Sequence, residues 1–409
     1  MESEKNTEKK SRFFSNTFFI GLLSFFGGIS QDIFIPVLPL YLSSVLGLSN
    51  EFIGFTEGLV ISSASIFQIV AGFLSDKFRA RKPLVFFGYA FSLVGRFFLA
   101  FIASTGGIMG LRFLDGAGKG IKSSSKDALV ADSTEIETRG KSFGIVRALD
   151  TLGSVVGPLI LVLFLYLFKD SVFKYNYIFL ITAIPLFFTL SILTIFVREA
   201  KPIPQIVQEE KNNFKADSEI SKLPKKFYIF LAIMTVFSLG NFSSAFLILR
   251  ASNVGVALLA IPLVYALFNF IYASASIPLG SLSDKIGREK VILFGWVSYI
   301  IAYLGFALAD KSYQIWLLFA LYGIYYATSE GVAKAFVADM VSSGHRGKAY
   351  GIYNSVIGLT ALPAGFAAGF LWDKFSPSTP FFVSAIIAVL AAIALLTFTR
   401  VYQRTQVAI

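Results

Sequence analysis

The most unusual side chains of this sequence are ionisable residues that interrupt long apolar segments. One segment carries Arg112, Asp115, Lys119, Lys122 and Lys126 at spacings of 3, 4, 3 and 4 residues. At about 100° per residue, this spacing places all five on one stripe of an α-helix. Four positive charges share the stripe with one negative charge, and the last two lysines are like-charged neighbours one turn apart. Acids on other helices, or a bound anion, must neutralise the stripe.

Two interpretations of this stripe remain open. In the first, it is a structural ion-pair network in which Asp32, Glu57 and Asp150 supply the missing negative charge. In the second, its four basic residues form a substrate-binding surface that attracts an anion. An ionisable side chain costs about 2.5 to 3.5 kcal/mol at the centre of a membrane helix, so either role requires the charges to face one another or a water-filled cavity.

Asp32 is the first candidate for a proton-coupling residue. It lies near the middle of an apolar segment, shortly before Pro36 and Pro39, which free backbone groups and bend a helix. A carboxyl group in this setting can exchange a proton as a cavity opens to either side. The competing role is that of a permanent partner for a cation of the stripe. Asp150 and Glu330 are further candidates for proton coupling.

Aromatic and amide residues in the second half of the chain are spaced so that each set shares a helix face. Tyr322 and Tyr326 are four residues apart in one segment, and Tyr265, Asn269 and Tyr272 share a face of another. Phenol and amide groups can orient a polar solute, so we expect Tyr265, Asn269, Tyr322 and Tyr326 to contact the substrate. Packing within the protein is the alternative role for these residues.

Long apolar helices must position these residues. Of the 409 residues, 55% are hydrophobic and only 15% are charged, and the mean hydropathy is +0.70. This composition excludes soluble, fibrous and disordered classes. Twelve segments are close to the 20 residues that cross a bilayer as a helix, and they lack the alternation of a barrel strand. The predicted fold is therefore an all-α membrane protein with twelve transmembrane helices, at 17–45, 51–75, 83–104, 107–132, 141–168, 175–197, 227–251, 256–282, 291–309, 313–340, 348–372 and 379–399.

The remaining composition narrows the chemistry and gives an orientation. The chain has no cysteine and one histidine, so we expect no metal site and no cofactor. When Lys and Arg are counted by alternate loops, 24 fall on one side of the membrane and 4 on the other. This bias explains the net charge of +11 as topology rather than nucleic-acid binding. It predicts cytoplasmic N- and C-termini in a prokaryotic inner membrane.

Two sequence motifs occur twice in the chain. Residues 72–77 (Gly-Phe-Leu-Ser-Asp-Lys) recur as Gly-Ser-Leu-Ser-Asp-Lys at 280–285, 208 residues later. The second motif, Ala-Asp followed by Arg-Gly-Lys, begins at Ala131 and recurs at Ala338, 207 residues later. Such a repeat predicts duplication of a six-helix unit. The predicted division is an N-terminal tail 1–16, a first bundle 17–197, a linker 198–226, a second bundle 227–400 and a tail 401–409.

The loop at 72–82, Gly-Phe-Leu-Ser-Asp-Lys-Phe-Arg-Ala-Arg-Lys, resembles the signature between helices 2 and 3 of the major facilitator superfamily, with Ala80 as a departure from it. The segments 112–115, 118–122, 126–132 and 147–153 resemble a prokaryotic subgroup of that superfamily. The resemblance covers essentially the whole chain. It implies two pseudo-symmetric six-helix bundles and transport by alternating access.

Charged residues at the cytoplasmic helix ends resemble gate elements. Asp132 and Arg139 are seven residues apart, and so are Asp339 and Arg346 in the other half. We expect ion pairs with Asp76 or Asp284 at these ends to close the inner mouth in one state and to separate in another. The predicted gate residues are Asp76, Arg79, Asp132, Arg139, Asp284, Asp339 and Arg346.

Together these features predict a secondary active transporter rather than an enzyme. The chain has no phosphate-binding loop of the ATPase type, which favours a proton gradient as the driving force. It has no arrangement of nucleophile and base in its spans. The cationic stripe favours a small organic anion, a carboxylate or a metal-carboxylate chelate such as a siderophore, carried by proton symport. We expect a monomer in the bilayer whose partners are this solute and protons.

Proton-antiport efflux of drugs or metabolites is the main alternative. Residues 153–158 (Gly-Ser-Val-Val-Gly-Pro) resemble part of an antiporter signature, although a packing kink is the simpler explanation. A channel is disfavoured by the duplicated gate loops.

Overall fold

The computed structural model describes residues 2–78, 80–134, 138–199, 223–342 and 345–407. Within these ranges the side chains of 2–15, 76, 330 and 401–407 are not described. The predicted gate residue Arg79 and most of the predicted linker therefore lie outside the described residues. Asp76 and Glu330 lie in helices, but their side chains are not among the described ones. The roles predicted for these two side chains therefore stay predictions.

The regular elements of the described ranges are helices. Their bounds are α1 Glu2–Leu40, which continues as a π-helical turn Tyr41–Val45, α2 Asn50–Phe78, α3 Arg81–Leu99, α4 Thr105–Asp132, α5 Arg139–Leu167, α6 Lys174–Ile195, α7a Lys225–Gly240, α7b Ala245–Asn253, α8 Ile261–Ile286, α9 Arg288–Leu308, α10 Ser312–Met340, α11 Arg346–Lys374 and α12 Thr379–Val407.

These elements confirm the prediction of an all-α protein with twelve long helices. The seventh is divided into α7a and α7b by the non-helical residues 241–244, where the sequence predicted one continuous span. By length and composition, ten spans among the described residues can cross a membrane. The other two long helices are α4 and α10, which carry the charged stripe and the paired tyrosines.

The first and last helices extend furthest beyond the apolar segments that predicted them. The first begins at Glu2, within the predicted tail, and the last reaches Val407. Helical hydrogen bonds do not require apolar side chains, and the Glu and Lys residues of the first tail are good helix formers. Hydropathy therefore located the membrane-spanning part and not the helix ends.

Cα packing divides the chain into two compact units. The first comprises Met1–Val37 and Ser63–Ala216, and the second comprises Leu38–Ser62 and Asp217–Ile409. The end of α1 and the first half of α2 belong to the second unit. There, the Asp373 carboxylate accepts hydrogen bonds from Asn50 Nδ2 at 2.7 Å and from the Glu51 amide at 2.9 Å, and so caps the start of α2.

Helix α3 organises the first unit, because it packs against both α4 and α6. The core there includes Ile20, Leu23, Val85 and Leu129, all inaccessible to solvent. In the second unit α9 has the same place, since it packs against α10 and α12. The two units thus share a packing scheme, which agrees with the duplication predicted from the repeated motifs.

A close crossing of α1 and α5 accounts for the Gly-Pro segment of α5. A Cβ added at Gly153 would collide with the carbonyl of Phe25, and one at Gly157 would press on the carbonyl of Ile29. Pro158 lies within α5 directly after the second of these glycines. The small residues are needed for this packing, so they are explained without an antiport function.

Candidate functional site

The centre of the charged stripe on α4 is Asp115, which is 1% exposed. Its carboxylate oxygens lie 3.2 Å from Lys119 Nζ, 3.4 Å from Arg112 Nη1 and 3.6 Å from Arg96 Nη2. Three cations therefore share one acid in a buried environment. The carboxylate holds the three basic side chains in place but neutralises only one of their charges.

Arg96 of α3 belongs to this cluster, although it was absent from the predicted site. Its side chain is fully buried and donates hydrogen bonds to Ser30 Oγ at 2.6 Å and Gln31 Oε1 at 2.8 Å. Its guanidinium also lies 5.1 Å from the ring centre of Phe34, where Arg112 approaches within 5.3 Å. An arginine in the middle of an apolar segment was the available sequence signal.

The two lysines at the C-terminal end of the stripe have different surroundings. Lys122 Nζ lies 4.4 Å from the ring centre of Tyr89, and Lys126 Nζ donates to Ser24 Oγ at 3.0 Å. Both side chains are only partly buried. Within the described residues, neither ammonium group has a carboxylate at ion-pair distance. We define Arg96, Arg112, Lys119, Lys122 and Lys126 as the cationic cluster.

The acids around the cluster are not equivalent. Asp32 is 5% exposed and close enough to Arg96 to interact with it electrostatically. Asp150 is near Lys126 but forms its ion pair with Arg147, at 3.8 Å, where 33% of the aspartate side chain is exposed. Asp32 is therefore a buried acid near Arg96, whereas Asp150 is a partly exposed acid near Lys126.

Glu57 makes a contact within the second unit. Its carboxylate Oε2 accepts a hydrogen bond from Ser243 Oγ at 3.2 Å, and both residues belong to the second unit. This contact places Glu57 against the interrupted seventh helix, and its role in neutralising the α4 stripe stays a prediction. Sequence spacing could not show this, because the contact spans 186 residues.

The predicted aromatic site of the second unit is largely packed. Tyr322, Tyr265 and Asn269 are 1%, 5% and 7% exposed. Phe268 lies among them, with its ring centre 5.3 Å from those of Tyr322 and Tyr326. Of the four predicted substrate contacts in this unit, Tyr326 lines a cavity, whereas the other three lie in the packed interior.

This cavity, of about 190 Å³, opens where the seventh helix is interrupted. Its polar lining side chains are Ser238, Asn241, Ser243, Tyr326 and Thr360. We call it the α7 cavity. Four of its five polar residues were absent from the predicted site. The sequence signal was the run Gly-Asn-Phe-Ser-Ser at 240–244, which is typical of a helix break.

The helix ends next to the repeated loop of the first unit carry an arginine-centred contact. Arg81 Nε lies 3.1 Å from Asp132 Oδ2, and Arg81 Nη1 donates to Ser75 Oγ at 2.5 Å. Arg139 instead donates to the backbone carbonyl of Ala131 at 3.3 Å. The partner of Asp132 is therefore the arginine of the repeated loop and not the arginine seven residues later.

The second unit repeats this contact with equivalent residues. Arg288 Nε lies 3.3 Å from Asp339 Oδ2, and Arg288 Nη1 donates to Ser283 Oγ at 2.8 Å. Arg288 also pairs with Asp284. Of the predicted gate residues in this unit, Asp284 and Asp339 thus share Arg288, while no ion pair of Arg346 occurs in the described ranges.

These features define an integral membrane protein made of a duplicated helical unit, with polar clusters inside the helices and matched ion pairs at their ends. The chain belongs to the Major Facilitator Superfamily, whose family model matches residues 20–249 and 228–408. The resemblance seen in the loop motifs is confirmed. The protein is accordingly a transporter of small molecules in a membrane and not an enzyme.

Individual relatives extend this result. The chain is 38% identical over 399 residues to an uncharacterized MFS-type transporter of Methanocaldococcus jannaschii, across 96% of this chain and 97% of the relative. It is 24% identical over 312 residues to the multi-drug resistance efflux pump PmrA of Streptococcus pneumoniae, across 74% and 75% of the two chains. A crystal structure of a mutant of the nucleoside transporter NupG has a TM-score of 0.77 at 14% identity, across 93% and 99% of the two chains.

Proposed function

We propose that the protein is a secondary active transporter of a small organic anion, such as a carboxylate or a metal-carboxylate chelate, driven by protons across a prokaryotic inner membrane. The observation that supports this most is the surplus of positive charge in the cationic cluster. Asp115 pairs with three of the five basic side chains, and Asp32 lies near one of these three, Arg96. In a medium of low dielectric constant, such a surplus attracts an anion strongly.

Lys122 and Lys126 are the residues we assign to the solute. Their ammonium groups are held by a tyrosine ring and a serine hydroxyl instead of carboxylates, so an arriving anion does not have to displace an existing ion pair. Arg96, Arg112 and Lys119 have the supporting role, because they already share Asp115. Their uncompensated charge adds to the attraction without direct contact.

The binding test is a thermal-shift screen of the purified protein against small mono- and dicarboxylates, repeated with Lys122→Gln and Lys126→Gln. A ligand present at 100 times its Kd stabilises a protein by about 2.7 kcal/mol, which is readily measured. We expect carboxylates to stabilise the natural protein and to lose this effect in both variants. Lys169→Gln is the matched control, since Lys169 is exposed and also lies over a tyrosine ring.

The outcome that contradicts the anion proposal is an undiminished shift in both cluster variants. Stabilisation by cations or apolar drugs alone would instead favour the alternative of proton-antiport efflux. That alternative is supported by the likeness to an efflux pump named for multi-drug resistance. Resistance gained by cells that express the protein would then show the direction of transport.

Asp32 is the residue we assign to proton coupling. It is buried beside Arg96, so loss or gain of its proton changes the charge that the cluster presents to the solute. In proteoliposomes, we expect Asp32→Asn to abolish uptake driven by a proton gradient while exchange of labelled for unlabelled solute persists. Gradient-driven uptake that survives this substitution would remove the coupling role, and Asp150→Asn is the comparison variant at the exposed edge.

A further inference from the structure

We propose that the α7 cavity is a binding site for a primary ammonium group. This inference does not rest on the transport of an anion through the cationic cluster, because the α7 cavity and the residues around it belong to the second unit. Four observations support it. They concern the hydroxyl of Ser238, the hydrogen-bond acceptors of the cavity wall, the negative charge beside the cavity, and the size and aromatic side chains of the cavity.

The first observation is a polar group in the cavity wall that lacks a partner. Ser238 is 7% exposed and lines the α7 cavity, yet its hydroxyl has no hydrogen-bond partner within the described ranges. The Ser238 hydroxyl is not among the fully buried atoms without a partner, so it is open toward the cavity, where a ligand or water can bond to it.

The second observation is that two hydroxyl groups of the cavity wall have used their donors elsewhere. Ser243 Oγ donates to Glu57, and Thr360 Oγ1 donates to the carbonyl of Ile357 at 2.6 Å. Asn241 Nδ2 donates one of its two hydrogens to Tyr325 Oη at 2.9 Å, and the Asn241 amide oxygen is a further acceptor. The lone pairs that remain make the cavity an acceptor of hydrogen bonds, and an ammonium group supplies three donors.

The third observation is the sign of the charge at this place. Glu57 is bonded to Ser243 of the cavity wall, while the lining includes no basic side chain among the described residues. A carboxylate one hydrogen bond away disfavours an anion in the cavity and stabilises a cation. The serine hydroxyl between them relays this preference, because its donated hydrogen leaves the oxygen more negative toward the cavity.

The fourth observation concerns size and shape. The rings of Phe242 and Tyr326 form part of the wall, and such ring faces attract cations. The volume of the cavity is about 190 Å³. This is below the range of about 300 to 1,000 Å³ that is typical of drug-sized ligands, so a short alkylammonium group fits and a large lipophilic cation does not.

The test compares n-propylammonium with n-propanol, which has nearly the same shape without the charge. Each is titrated against the purified full-length protein, with the shift in melting temperature as the readout. We expect n-propylammonium to raise the melting temperature and n-propanol to have no effect. Tetramethylammonium, a cation without N–H donors, is expected to be much weaker because it cannot use the acceptors.

Substitutions connect the shift to this cavity. Glu57→Gln and Ser243→Ala are each expected to weaken the apparent affinity for n-propylammonium about tenfold or more, the size of a lost charge-assisted hydrogen bond. Glu51→Gln, on the same helix, is the matched control and is expected to leave the affinity unchanged. Two cavity variants are used so that a folding defect in one does not decide the result.

Three outcomes overturn the proposal: no shift with n-propylammonium, an equal shift with n-propanol, or an undiminished shift in both cavity variants. An equal shift with n-propanol would assign the cavity to hydroxyl groups. Lys122→Gln, tested in parallel, separates the two proposals. It is expected to abolish the response to carboxylates while the response to n-propylammonium persists.

Discussion

The two halves of the molecule keep the same residues at the helix ends and different residues in the middle of the helices. Arg81 with Asp132 in the first unit and Arg288 with Asp339 in the second form corresponding ion pairs. At the 207-residue offset of the repeat, by contrast, Asp115 corresponds to Tyr322. The corresponding ion pairs at the helix ends were thus preserved after duplication, whereas the residues in the interior of the two units diverged.

The divergence follows the contacts within each unit. Arg96 meets Asp115 in the first unit, and their counterparts Tyr303 and Tyr322 lie with ring centres 6.1 Å apart in the second. Lys119 likewise has Tyr326 as its counterpart. One unit therefore concentrates charge where the other concentrates aromatic surface.

The largest expected effect is the loss of the shared acid of the cationic cluster. Asp115→Asn leaves Arg96, Arg112 and Lys119 without their common counter-ion, and breaking a buried ion pair costs about 3 to 5 kcal/mol of unfolding free energy. Thermal unfolding in detergent measures this. Asp150→Asn is the control, since its pair is largely exposed and worth at most about 1 kcal/mol. Equal losses in both variants would show that the cluster is not a coupled unit.

The next largest effect is expected at the ion pairs that the two halves share. Arg81 and Asp132 are 12% and 14% exposed, whereas Arg288 and Asp339 are 25% and 54% exposed. We expect Arg81→Gln to cost about 1.5 to 3 kcal/mol and Arg288→Gln less than about 1 kcal/mol, because solvent screens the second pair. Denaturant unfolding of the two variants checks the order. A larger loss at Arg288 would contradict the burial argument.

The smallest effect tests the aromatic interior. Tyr299 Oη donates to the Gly240 carbonyl at 3.1 Å and bonds Ser384 Oγ at 2.6 Å, while Tyr322 Oη is buried without a hydrogen-bond partner in the part of the chain described. Tyr299→Phe should therefore cost about 0.6 to 1 kcal/mol, and Tyr322→Phe should be neutral or slightly stabilising. Melting temperatures of both variants decide this. A clear loss for Tyr322→Phe would indicate a hydroxyl that the protein needs.

The helices and the repeat were predictable because their signals are local. Apolar runs of about 20 residues reveal a membrane helix without knowledge of its neighbours, and identical loops at one offset reveal duplication. The break at residues 241–244 was missed although Gly240 and Asn241 were visible, since hydropathy averaged over a segment does not respond to two residues. The stripe on α4 was predictable for the same local reason, the 3.6-residue period of a helix.

The partners of the charged residues were not predictable in the same way. Arg96 joins Asp115 from another helix, Asp132 meets Arg81 instead of Arg139, and Glu57 meets Ser243 186 residues away. Each of these contacts depends on which helices pack together and on how the packed helices are shifted along their axes. Several arrangements of the same charges satisfy the local pattern equally well, so only the packing selects one.

By itself, the sequence determined that the protein is a duplicated, twelve-helix membrane carrier with surplus positive charge on its fourth helix, because hydropathy, repetition and helical period are properties of neighbouring residues. The tertiary structure decided which cations are already neutralised, which tyrosines are packed away and where a cavity opens. Those outcomes depend on distances of a few ångströms between helices that are far apart in the chain, and Coulomb and hydrogen-bond energies change steeply over such distances.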